Sequence, residues 1–202
     1  CRGSGWSIRI VGSCRANGGL SLGGGAAYAH TMLTEPAATE TSTPPPVVLV
    51  HGWGGSFSST WERSGFTALL ADAGRDVIGV DLLGHGTAPK PHDPSAYGDM
   101  TARIFEAMPP GQVDAIGFSL GAMTLLRAAA AEPARFRRLV LAGIGRNVFE
   151  TDEASTGRIV EAITNGGESD DNHARLFAQY ASRPGNDPVA LAAIMSRPPA
   201  PR

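Results

Sequence analysis

From residue 47 onward the chain alternates short apolar runs with stretches of helical spacing. "VVLV" at 47–50 is continuous and rich in β-branched residues. That pattern predicts a strand buried on both faces, as in a parallel sheet. A helix is predicted over 59–73, with Trp61, Phe66, Leu69 and Leu70 on one side and Gly74 as its C-terminal glycine. "DVIGVDLLGHG" at 76–86 predicts a second buried strand and a glycine-rich turn. A second helix is predicted over 95–108, with Tyr97, Met100, Ile104 and Met108 on its apolar face and Pro109 and Pro110 after it. "VDAIGF" at 113–118 reads as a third strand. "LGAMTLLRAAAAE" at 120–132 is rich in strong helix formers, and "RRLVLAGI" at 137–144 is a fourth strand. Strand and helix in alternation predict an α/β fold with a mostly parallel sheet flanked by helices.

Beyond residue 145 the strand pattern stops. Helices are predicted near 152–164, 169–182 and 187–196, with Gly and Pro between them. Upstream, residues 1–31 are rich in Gly, Arg and Ser and carry neither periodicity. "TETSTPPP" ahead of the first strand reads as a linker. The expected organisation is an unstructured leader and linker over 1–44, an α/β core over 45–145 and a helical cap segment over 146–202. Met32 is the first methionine and a candidate start.

Composition narrows the function classes. The chain has 202 residues, 42% hydrophobic and 18% charged, with a formal net charge of −2. Such a balance fits an ordinary globular protein and gives no electrostatic reason to expect nucleic acid or an anionic membrane as partner. No apolar run is long enough to span a bilayer. The two cysteines, Cys1 and Cys14, form no metal or disulfide framework, so a cytoplasmic location is the default. No cofactor is expected: "GIGRN" at 143–147 lacks the full dinucleotide fingerprint, and no phosphate-binding Gly-Lys-Ser/Thr loop occurs.

The chemistry centres on "GFSLG", residues 117–121. A Gly-x-Ser-x-Gly pattern becomes specific when it joins a buried strand to a helix, and here the strand is expected to end near Phe118 and the helix to begin near Leu120. So sharp a turn strains the serine backbone and exposes its hydroxyl. Gly117 and Gly121 remove side chains where strand and helix approach closely. The Leu120 N–H, at the helix start, is placed to face a developing oxyanion. The competing reading makes Ser119 a helix N-cap between two packing glycines. A second motif weighs against it: "HGWGGS", His51 to Ser56, follows the first strand, where another oxyanion donor is expected.

"VVLVHGWGG", "DLLGHG" and "GFSLGA", in this order and spacing, resemble the α/β-hydrolase superfamily in its serine-nucleophile branch. The resemblance covers residues 45–145 and loosens beyond. It implies that Ser119 is the nucleophile, that Trp53 and Leu120 supply the oxyanion-hole N–H groups, and that 146–202 belong to a helical cap. It also implies that His51 shapes the oxyanion loop and that His85 is a structural turn histidine. Asp81 is expected to hydrogen-bond its glycine turn. His92 and His173 read as surface residues, His30 lies in the leader, and Met100, Met108 and Met123 read as core.

A serine nucleophile needs a base and an orienting carboxylate. In this superfamily they follow the serine in the order acid, then histidine. No strand after residue 145 presents either. Asp152 fits a helix N-cap better than a catalytic acid. The late Asp and His are therefore expected to be missing from this chain. The expected function is a serine hydrolase of an ester, thioester or lactone, or of a carbon–carbon bond, acting on a small acyl substrate through an acyl-enzyme. Epoxide hydrolysis and dehalogenation are disfavoured because the resembled enzymes carry Asp at the elbow. The alternative is a non-catalytic protein of the same fold that binds a small ligand under its cap.

Overall fold

The computed structural model describes residues 8–10, 43–148 and 152–198. Five parallel strands form one sheet in the order β1-β5-β4-β2-β3: β1 (Ile8–Ile10), β2 (Val47–Val50), β3 (Val77–Val80), β4 (Val113–Phe118) and β5 (Phe136–Ala142). The four strands read from the apolar runs are all present. β1 corrects the reading of 1–44 as wholly unstructured: its three residues pair with β5, Ile8 opposite Leu139. The rest of that segment up to residue 42 lies outside the described residues.

The sheet order explains why the strands are largely apolar, with Asp114 in β4 and Arg137 and Arg138 in β5 as polar exceptions. Parallel strands need crossovers, which pack helices onto the sheet, although one face of β4 and β5 stays partly open at Ile116 and Val140. On one face Val48, Val50, Val113, Ala115, Leu139 and Leu141 pack under α2 (Ala102–Ala107) and α3 (Leu120–Ala131). On the other, Val47 and Leu49 pack with Trp61, Phe66 and Leu70. The chain goes from β2 outward to β3 but from β4 outward to β5, so β2 and β4 flank the point where the winding reverses. In open α/β sheets a crevice opens there at the carboxyl ends of the strands.

Two predicted helices are broken. The 59–73 segment is a π-helical turn, Ser58–Glu62, followed by α1 (Phe66–Asp72), with Gly65 at φ +78° between them. The break resets the helical phase, so Trp61 is buried while Leu69 is exposed, against the expectation of one shared face. Gly74 does follow the helix end, at φ +67°. The 95–108 segment is a 3₁₀ turn, Pro94–Tyr97, and then α2. Asp99 interrupts it by taking the N–H and hydroxyl of Thr101 on its own side chain. Tyr97, Met100, Ile104 and Met108 are nevertheless all buried, because burial rather than continuous helix set that pattern.

After β5 come α4 (Glu153–Thr164), α5 (Asn172–Ala181) and α6 (Pro188–Met195). Each starts on an aspartate whose carboxylate accepts first-turn N–H groups: Asp152, Asp171 and Asp187. Asp152 is thus a cap, as its position suggested. Ser169, read as the start of the second helix, instead accepts the Asp171 N–H through its hydroxyl. No helix among the described residues is long and apolar enough to cross a membrane.

Candidate active site

Ser119 closes β4 and opens α3 in a conformation that L-residues rarely adopt, φ +49° and ψ −112°. It is the one non-glycine residue with positive φ among those described. Such strain persists only where the surroundings over-determine it. Here the Ser119 N–H donates to the Ala142 carbonyl at 2.8 Å, and its own carbonyl accepts from Met123 N–H at 3.0 Å. Ser119 occupies the N-cap position of α3, but its hydroxyl makes no capping bond to the helix.

The flanking glycines are required by close approach. A Cβ at Gly121 would sit 2.5 Å from the carbonyl oxygens of Val50 and His51. One at Gly117 would sit 2.7 Å from the Ala122 nitrogen. α3 therefore starts directly against the end of β2. The register pairs Val50 with Gly117, so the residues after both strands leave the sheet side by side. Gly52 lies so near the elbow that an added Cβ would meet the Phe118 ring at 2.9 Å.

The 51–55 loop is held by its histidine. His51 is fully buried, its Nδ1 lies 2.8 Å from the Gly52 carbonyl, and its Nε2 accepts from Leu82 N–H at 3.1 Å. A carbonyl can only accept, so Nδ1 carries the proton, and both ring nitrogens are engaged. Gly55 N–H also donates to the Gly52 carbonyl, at 3.0 Å. In a planar trans peptide the N–H points opposite the C=O. The Trp53 N–H is thereby turned away from both donors. Among the described residues, neither the Trp53 nor the Leu120 N–H is taken by a turn, loop or cap bond. The Leu120 group is one of the donors that any helix leaves free in its first turn.

Asp81 supports the same loop. It accepts from Phe57 N–H at 2.7 Å and from the Thr87 N–H and hydroxyl at 2.8 and 3.0 Å. Burial pushes its carboxyl up, but these bonds outweigh burial and hold it below its ordinary value. Burial lowers the pKa of His51. His85, 4.9 Å from His51 between ring centroids, is fully buried, and burial together with His51 pushes it down to about 3. His85 Nδ1 donates to the Leu83 carbonyl at 3.1 Å, while Nε2 is buried with no partner among the described residues. His92 pairs with Asp187 at 2.9 Å, and His173 sits edge-on to Phe177. No histidine among the described residues hydrogen-bonds Ser119. No cluster of three or more metal-ligating side chains occurs among them either.

The neutral burial of His85 carries a pH dependence. Between about pH 3 and its ordinary value of 6.5, the unfolded chain binds a proton that the folded chain refuses. Its stabilising contribution is complete above the ordinary value and declines as pH falls, by at most ~1.4 kcal/mol per pH unit. Denaturant unfolding measured over that window should show His85→Gln with a shallower acid slope than the parent. Parallel curves would contradict it.

α5, α6 and the turn between them close over the 51–55 loop. The Trp53 indole N–H donates to the Leu191 carbonyl at 3.2 Å, and its ring lies 5.2 Å from Phe177 and 6.5 Å from Tyr180. Asn186 Nδ2 donates to the Gly54 carbonyl at 2.9 Å. None of these partners was singled out from sequence, because nothing local in "SRPGND" distinguishes Asn186 from a turn residue. A 170 Å³ cavity lies elsewhere, on the open face of β4 and β5, walled by Ile116, Val140, Asp114 and Arg75; Ser119 is not in its wall.

Known proteins share this fold. A family model described as the alpha/beta hydrolase fold matches residues 45–162. A pimeloyl-[acyl-carrier protein] methyl ester esterase of Methylococcus capsulatus is 40% identical over 107 residues, 52% of this chain and 40% of that protein. An esterase of Mycobacterium tuberculosis is 31% identical over 104 residues, 50% of this chain and 33% of its own length. The matches thus span less than half of these relatives. Among solved structures, NosK from Streptomyces actuosus superposes with a TM-score of 0.56 at 22% identity, over 75% of this chain and 64% of that one.

Proposed function

The chain belongs to the α/β-hydrolase fold family, and from that premise we propose that it is built to cleave a small carboxylic ester through an acyl-enzyme on Ser119. Ser119 is the nucleophile. The Trp53 and Leu120 N–H groups bind the tetrahedral oxyanion, and residues 146–202 cap the acyl pocket above residues 45–145. The observation that carries this reading is the strained Ser119 backbone with its hydroxyl unspent on the helix. The Trp53 N–H in the 51–55 loop and the Leu120 N–H at the start of α3, neither taken by a turn, loop or cap bond, support the oxyanion assignment. The names of the esterase relatives favour an ester over a thioester, lactone or carbon–carbon bond.

A second reading, small-ligand binding without turnover, is favoured by one specific observation. Both nitrogens of His51 are engaged, so the histidine nearest the elbow in the 51–55 loop is no base. The test is mass spectrometry of the Ser119 peptide after exposure to p-nitrophenyl butyrate, with imidazole supplied in solution as an external base. An acyl addition on Ser119, strengthened by imidazole and absent in Ser119→Ala, is the expected result. Acylation elsewhere with none on Ser119 would leave only ligand binding.

A further inference from the structure

We infer that Asn186, in the turn between α5 and α6, is a positioning residue that ties the oxyanion loop to the cap, so that cap placement and oxyanion-hole assembly are one event. The inference rests on reading the Trp53 N–H as an oxyanion donor. Its evidence is separate from the elbow.

The Asn186 amide nitrogen has two acceptors, the Gly54 carbonyl at 2.9 Å and the Tyr180 carbonyl at 3.1 Å. Both hydrogens are used, and the flipped amide would oppose its oxygen to two carbonyls, so the side-chain orientation is determined. The turn holds Asn186 through its own N–H, which donates to the Arg183 carbonyl at 3.1 Å. Gly54, at φ +69°, has no room for a side chain: a Cβ would lie 2.6 Å from the Tyr180 ring.

The loop is consequently gripped from two sides. On the core side, His51 and Gly55 N–H hold the Gly52 carbonyl. On the cap side, Asn186 holds the Gly54 carbonyl and Leu191 holds the Trp53 indole. The Trp53 residue, whose N–H is the donor, lies between these two anchors. Lifting α5 and α6 would pull on Gly54 and rotate the neighbouring peptides. An oxyanion donor works only within a few tenths of an ångström of its position, so small displacements cost rate rather than binding.

The experiment compares the 202-residue protein with Asn186→Ala, the isosteric Asn186→Asp and the exposed control Asn165→Ala. Hydrogen exchange at the Gly55 amide reads the loop, and single-turnover hydrolysis of p-nitrophenyl acetate under excess enzyme reads the donor. The expected result is Gly55 exchange about tenfold faster in both Asn186 variants, with α3 amides unchanged. The residual kcat should fall about tenfold with KM within about twofold, since the loss falls on the transition state. Asn165→Ala should match the parent. Gly55 exchange unchanged in Asn186→Ala overturns the inference, as does Asn186→Asp behaving like the parent, which would reduce Asn186 to a space-filling role. A rise in KM alone also overturns it. Ser119 acylation, measured in parallel, reports separately on the hydrolase reading: its absence beside a loosened Gly55 removes that reading and leaves the cap–loop tie intact.

Discussion

Purified as these 202 residues, the protein is expected to hydrolyse short p-nitrophenyl esters about four to six orders of magnitude more slowly than an ordinary serine hydrolase. Of its five histidines, four are described, and each is accounted for without Ser119. A serine hydroxyl with no base contributes almost nothing, and what remains is oxyanion stabilisation and binding, roughly 10³–10⁴-fold over water. Ser119→Ala should therefore change the residual rate by less than about threefold, even with Ser119 as the proposed nucleophile, because the members of such a unit are grossly non-additive. Steady-state kinetics on the pair check this. An ordinary enzymatic rate abolished by Ser119→Ala would show that a base does reach the elbow. His85 would then be the first residue to mutate, since its Nε2 is the ring nitrogen left unpaired.

Gly121→Ala is expected to destabilise the fold by about 3 kcal/mol or more, and Gly157→Ala to stabilise it by about 0.5–1 kcal/mol. The two glycines both lie in helices, and intrinsic propensity favours alanine at each. They differ in their surroundings. A Cβ on Gly121 meets two backbone carbonyl oxygens at 2.5 Å, and backbone at the join of β2, β4 and α3 cannot step aside as a flexible side chain would. A Cβ on the exposed Gly157, within α4, meets nothing within 4 Å. Urea unfolding of both variants gives the comparison. A Gly121→Ala protein as stable as the parent would mean that α3 does not start against β2. The elbow geometry would fall with it.

The pattern of residues by itself determined the strands β2 to β5 and the parallel α/β class, since continuous β-branched runs have few other stable homes. Full burial held for β2, while β3, read as buried, is exposed at Gly79 and β5 at Arg137 and Arg138. The pattern also located the strained serine, because a Gly-x-Ser-x-Gly pattern between a buried strand and a helix marks such a turn. It misplaced what depends on local competition. Gly65 and Asp99 each broke a predicted helix, yet the buried face at Tyr97, Met100, Ile104 and Met108 survived, since tertiary packing chose that face and backbone continuity did not. Only the tertiary structure decided which parts meet. The register of Val50 against Gly117 sets the 51–55 loop beside Ser119, and no feature of either segment encodes that pairing alone. The same holds for the protonated nitrogen of His51, fixed by a carbonyl one residue away and an N–H from Leu82, and for Asn186, whose partner lies in a loop far earlier in the chain. Periodicity is written along a segment and can be read there; a hydrogen bond between distant segments exists only after the sheet has brought their ends together.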